Sequence, residues 1–118
     1  MARPVVVMTQ TPCTNAVTQD VVCDPLRVGV PIVWWRIVAR DGTAIPTRVE
    51  LILRLGNTDY ILHSGVPAAI GITVDQYLGV LFAPEAQVVA RFVGATLGDV
   101  LQVTGYGEIR TPLESPVP

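Results

Sequence analysis

The sequence predicts an all-β domain, a two-sheet antiparallel sandwich of jelly-roll type with about eight strands. Three observations carry this expectation. Val, Ile and Thr supply 39 of the 118 residues; β-branched side chains suit a pleated, half-buried surface and lose χ1 freedom in helices. Ten glycines and ten prolines interrupt the chain at short intervals. No segment keeps a helical apolar period over about 12 residues, whereas several alternate with period two. A chain of this length makes one domain.

The elements follow from these signals in order. A first strand falls at 5–9, before Pro12, and a second at 16–22, stopped by Asp24-Pro25. The third, 32–40, follows Pro31 and ends at Asp41-Gly42, a turn dipeptide. The fourth, 47–55, alternates: Val49, Leu51, Leu53 and Leu55 point one way, and Arg48, Glu50, Ile52 and Arg54 the other. Gly56-Asn57 turns tightly into a fifth strand at 58–63, so the pair forms a hairpin. Residues 65–75 read as a long loop. A sixth strand, 76–82, is closed by Ala83-Pro84-Glu85. The seventh, 87–93, places Val88, Ala90 and Phe92 on one face and Gln87, Val89, Arg91 and Val93 on the other. Gly98-Asp99 leads into the eighth, 100–106, with an extension towards Arg110. Residues 1–14 and the proline-rich 111–118 read as extended arms flanking a sandwich domain at 15–110. An immunoglobulin-like sandwich is the alternative, but its core disulfide bridges distant strands, and Cys13 and Cys23 are ten residues apart.

The composition excludes several chemistries. With no lysine there is no Schiff-base lysine and no phosphate-binding loop of the Walker type. One histidine, His63, cannot build a multi-histidine metal cage. Neither serine, Ser64 nor Ser115, sits in a nucleophile elbow. The ten acids are scattered, most beside glycine, proline or asparagine, where acids shape turns. The expectation is a protein that is not an enzyme and holds no cofactor or metal. The eight arginines form no basic stripe, so nucleic acid is not an expected partner. The apolar run near the start has four residues, 5–8, against about 7–15 in a signal peptide. The charge-free stretch 60–74 is short of the roughly 20 residues of a spanning helix. No membrane partner is expected, and synthesis is expected in the cytoplasm. There, Cys13 and Cys23 would be buried reduced thiols, with a disulfide between them as the alternative.

Half the residues are hydrophobic and only 15% are charged, against about 25% in an average domain. A domain this small cannot bury half its residues in one core, so apolar strand faces must be covered by other subunits. An all-arginine basic set suits semi-buried ion pairs. The expected assembly contacts are the docked N-terminal arm (Val5, Val6, Val7), the outward face of the seventh strand (Val89, Arg91, Val93) and Trp34. Trp34 and Trp35 are adjacent and face opposite ways, so one of them belongs in the core; the sequence leaves open which.

A proline-led strand, Pro31-Ile32-Val33-Trp34-Trp35-Arg36-Ile37-Val38, comes first, and a strand pair at 48–55 and 58–63 follows. Then come Gln76-Tyr77-Leu78-Gly79-Val80-Leu81-Phe82-Ala83-Pro84 and Leu97-Gly98-Asp99-Val100-Leu101-Gln102-Val103-Thr104-Gly105-Tyr106-Gly107. In this order of features, residues 30–110 resemble the jelly-roll decoration, or cement, proteins of tailed-bacteriophage capsids. The resemblance implies a non-enzymatic virion protein on the capsid surface. It would be a homo-oligomer, a trimer with a dimer as the alternative, bound to the major capsid protein and stabilising the shell. A tail or baseplate component and a carbohydrate-binding or adhesion sandwich are the competing readings. The second draws on Trp34, Trp35, Tyr60, Tyr77 and Tyr106.

Overall fold

The computed structural model describes residues 3–26, 29–67, 69–71 and 73–109, and only the backbone of Tyr77 and Leu78. Eight strands run in chain order: β1 (Arg3–Pro12), β2 (Thr18–Val22), β3 (Ile32–Asp41), β4 (Arg48–Leu55), β5 (Thr58–Gly65), β6 (Val74–Phe82), β7 (Gln87–Val93) and β8 (Val100–Ile109). They form two four-stranded antiparallel sheets, sheet A in the order β1-β8-β3-β6 and sheet B in the order β2-β7-β4-β5. The pairs β1–β8, β2–β7, β3–β6 and β4–β5 nest within one another, as in one long ribbon closed at the β4–β5 hairpin. The β3–β8 and β4–β7 pairings roll that ribbon into a sandwich. This is the jelly-roll arrangement, and it bears out the expected fold class. Gly56 opens the hairpin turn at φ +61°. With no positive φ at Asn57, the turn has the glycine-first geometry that matches strand twist.

The inner faces supply one core. Trp34, Ile37 and Ala39 of β3, Leu51 and Leu53 of β4, Val88, Ala90 and Phe92 of β7, and Leu101 and Val103 of β8 are all fully buried. Trp34 is the largest of these side chains, and two glycines of β8 make room for it. A Cβ on Gly105 would lie 3.1 Å from Trp34 Cζ3 and 2.9 Å from Val88 Cγ2. One on Gly107 would lie 2.7 Å from the Val33 carbonyl and 3.0 Å from Trp34 Cε3. Burying an indole removes about 200 Å² from water, a gross gain of about 5 kcal/mol.

Two expectations need correction, and one alternative falls away. The segment set aside as an N-terminal arm is β1, paired residue by residue with β8 of the same chain from Arg3↔Ile109 to Pro12↔Val100. Its prolines misled the reading. Pro4 and Pro12 lie an even number of residues apart, so both missing N–H groups fall on one side of an edge strand, where proline is tolerated. The loop expected at 65–75 is shorter, because β5 runs to Gly65 and β6 begins at Val74. The two cysteines are free and buried, and they sit at opposite ends of the sandwich. Cys13 exchanges backbone hydrogen bonds with the β7–β8 turn (Asp99 O 2.7 Å, Gly98 N 2.9 Å), whereas Cys23 N–H bonds Val88 O at the start of β7. The length of a strand separates them, which leaves the buried-thiol reading and removes the disulfide. Burial, and then the Asp24 carboxylate, push the Cys23 thiol up to about 11. The tail at 111–118 lies outside the described residues.

Candidate assembly surface

Alternation along β7 and β4 puts Val89 and Ile52 on the outer face of sheet B, directly opposite each other. Both are completely buried. The cover is a closed ring of four charges drawn from four strands. Arg54 of β4 donates to Asp59 (Nε to Oδ1, 2.6 Å) and to Asp20 (Nη2 to Oδ2, 2.7 Å). Arg91 of β7 donates to the same two carboxylates, to Asp20 Oδ1 at 2.8 Å and to Asp59 Oδ2 at 2.8 Å. The register explains the meeting. Asp20 and Glu50 flank Arg91 in one row, Asp59 faces Arg54 in another, and the Val89–Ile52 row lies between them. The guanidinium groups therefore reach towards each other above the apolar pair.

The ring is electrostatically tight. Burial pushes the Asp20 carboxyl up, but hydrogen bonds from Arg91 and Arg54 outweigh it and hold it below the usual range. Asp59 is also held down, by Arg54 first. Both arginines are raised, Arg54 chiefly by Asp59 and Arg91 chiefly by Asp20. Forked arginine–carboxylate bonds of this kind carry geometric specificity as well as energy. A shallow depression beside the ring is lined by Thr18, Asp20, Arg48, Glu50, Arg91 and Val93.

Among the described residues sheet A has no such cover. Its outer face presents Val6 and Met8 from β1, Tyr106 from β8, Trp35 from β3 and Leu81 from β6, with exposures from 40% for Tyr106 to 63% for Leu81. These five side chains come from all four strands. Val6 pairs Tyr106, and Tyr106 pairs Arg36. A bulge at Trp34/Arg36 breaks the register with both neighbouring strands. With the extra residue, Trp34 stays in the core while Trp35 turns to solvent beside Gly79 of β6, where a Cβ would sit 3.4 Å from its Cζ3. The central charges neutralise one another. Arg36 makes two bonds to Asp75, 2.9 and 2.6 Å, and its guanidinium lies 5.8 Å from the Tyr106 ring centroid. The Arg36 hydrogen bonds hold Asp75 below the usual carboxylate range.

The expected contacts therefore separate. Val6 is exposed on the sheet A face, while Val5 and Val7 point inward and pack against the core. Trp34 is a core residue rather than a surface contact; its neighbour Trp35 holds the surface position. Val89 is buried under the ring, Arg91 is part of that ring, and Val93 is half-buried between Thr18 and Arg48. The sequence reading misses Met8 and Leu81, names Tyr106 only for the carbohydrate alternative, and leaves Trp35 open against Trp34. Period-two parity from a buried Trp34 would have found Trp35, but nothing local tells which tryptophan is buried.

Among the described residues no helix is long and apolar enough to cross a membrane, and no three His, Cys, Asp or Glu side chains stand together as a metal site. No protein-family model matches the chain, and none of the curated proteins matches it at a significant level.

Proposed function

We propose that the protein is a non-enzymatic virion component, a decoration or cement protein that self-associates, as a trimer, and binds the major capsid protein to reinforce the shell. The observation that carries this reading is the exposed face of sheet A, whose central Arg36 and Asp75 charges are paired with each other. Five apolar and aromatic side chains from its four strands are 40–63% exposed there, and apolar groups left in water on one face mark interaction sites. Trp, Tyr and Met are the residue types enriched at the centres of protein interfaces. The jelly-roll topology supports the reading at the level of fold, since capsid proteins are among its users, but lectins are too. The test is co-sedimentation with empty phage shells that lack their decoration protein, followed by heat-induced DNA release from filled shells. Binding, and a higher release temperature on adding the protein, would support the reading. Absence of both across a panel of shells would overturn it.

A carbohydrate-binding module is the second reading. It is favoured by Trp35 and Tyr106, which share one exposed face next to the polar Arg36–Asp75 pair. A glycan array positive for the protein and lost in Trp35→Ala would move the assignment there.

A further inference from the structure

Four loops meet at one end of the sandwich, and backbone hydrogen bonds tie them together. Cys13 of the β1–β2 loop and the β7–β8 turn exchange two such bonds, and Gly71 N–H of the β5–β6 segment donates to Asp41 O at the end of β3 (3.3 Å). Two carboxyl groups are buried there. Asp41 is 3% exposed and Asp99 is 7% exposed. Asp41 Oδ1 is well supplied, accepting from Thr43 N–H (3.1 Å), the Thr43 hydroxyl (3.3 Å) and Ala44 N–H (3.3 Å). The second oxygens, Asp41 Oδ2 and Asp99 Oδ2, are fully buried and have no donor among the described residues. Asp41 pairs with Leu101 of β8, two residues beyond Asp99, which brings the two carboxyl groups to the same place.

Buried polar atoms are almost always satisfied, and two bare carboxylates side by side in a dry site repel strongly. Among the described residues no cation resolves the conflict. The four loops, 13–17, 42–47, 66–73 and 94–99, contain no ionisable residue other than Cys13 and Asp99. The adjoining Arg40 is exposed and folds back over Gly42, where a Cβ would lie 3.6 Å from its Nη2. A divalent metal would need about six to eight oxygen ligands, and no third acidic, histidine or cysteine side chain joins the two among the described residues. One proton needs nothing further: it turns one orphan oxygen into a donor and the other into its acceptor.

We infer that Asp41 and Asp99 share a single proton, and that this proton locks the four-loop end of the sandwich. Burial, reinforced by Asp99, pushes the Asp41 carboxyl upward, so Asp41 is the member that keeps the proton. The sign of the linkage follows. A carboxyl raised in the folded state adds stability at acidic pH, and that stability is lost as pH rises through its folded value. The end of the molecule that carries these loops is then tighter in acid than in neutral solution. This inference is independent of the capsid reading.

The experiment compares melting temperatures of the wild type, Asp41→Asn and Asp99→Asn at about pH 5 and about pH 8. An asparagine amide supplies the missing donor permanently and removes one charge. Each variant is expected to exceed the wild type by about 4–8 °C at the higher pH and to match it at the lower. Variants that melt equally far below the wild type at both pH values would overturn the inference. So would millimolar calcium raising the wild-type melting temperature at the higher pH in place of the proton. Should the variants fail to fold, NMR titration of the wild-type carboxyl carbons decides. Asp41 still protonated at about pH 5, above the ordinary aspartate range, supports the shared proton, and Asp41 already ionised there overturns it.

Discussion

Sheet B seals the apolar centre of its outer face, Val89 and Ile52, under a ring of two arginines and two aspartates. Sheet A leaves Val6, Met8, Trp35, Leu81 and Tyr106 in contact with solvent and spends its central charges on one Arg36–Asp75 pair. A low charge count is therefore not spread thinly over the molecule. On sheet B four charges close over the apolar centre, whereas on sheet A the paired Arg36 and Asp75 leave five large side chains uncovered. The long stems of Arg54 and Arg91 add cover that a count of charges does not register.

The sharpest way to break the comparison is at the core that both faces share. Trp34→Ala is expected to destabilise the fold by about 3–5 kcal/mol, read as a lower denaturant midpoint. Trp35→Ala, one residue along, should change stability by less than about 0.5 kcal/mol. Equal losses at both positions would mean that the bulge does not separate them. Gly107→Ala is expected to cost about 1–3 kcal/mol, because its methyl group would meet the Val33 carbonyl and the Trp34 ring.

The ring on sheet B comes next. Its members keep about a quarter of their side-chain surface in contact with water. Its loss should therefore fall between an exposed pair and a buried one. Arg91→Ala is expected to destabilise by about 1–3 kcal/mol, uncovering Val89 as well as freeing two carboxylates. Arg91→Lys should recover only part of this, since a single ammonium cannot fork between Asp20 and Asp59. A double-mutant cycle of Arg91 with Asp20 measures the coupling. The ring also sets an acid limit. Asp20, Asp59 and Asp75 are held below their ordinary range, so their contribution is present above about pH 4 and is lost as pH falls further through their folded values. A melting-temperature profile should therefore drop on the acid side, and Arg91→Ala should flatten that drop.

Much of the fold was legible because turn chemistry is local. Asp41-Gly42, Gly56-Asn57 and Gly98-Asp99 mark turns by themselves, and β7 falls at 87–93 as its alternation predicts. The nested pairing was not legible, because it joins residues as far apart as Arg3 and Ile109. The same distance explains the misplaced surface residues. Alternation puts Val89 on an outer face correctly, but its burial depends on Asp20, Arg54 and Asp59, brought over it from three other strands. Trp34 and Trp35 are indistinguishable by type, and the bulge that separates them arises from the fit of β3 between β6 and β8. The acid pair at Asp41 and Asp99 showed only as two turn signals, whose meeting depends on β3 lying beside β8.

The mass of the protein in solution, compared between wild type and Trp35→Ser, tests the account most directly. An oligomer at micromolar concentration that becomes a monomer on substitution, with the melting curve of the protomer unchanged, is the expected result. A wild type that stays a monodisperse monomer, or an oligomer indifferent to Trp35, would contradict the assignment of the sheet A face.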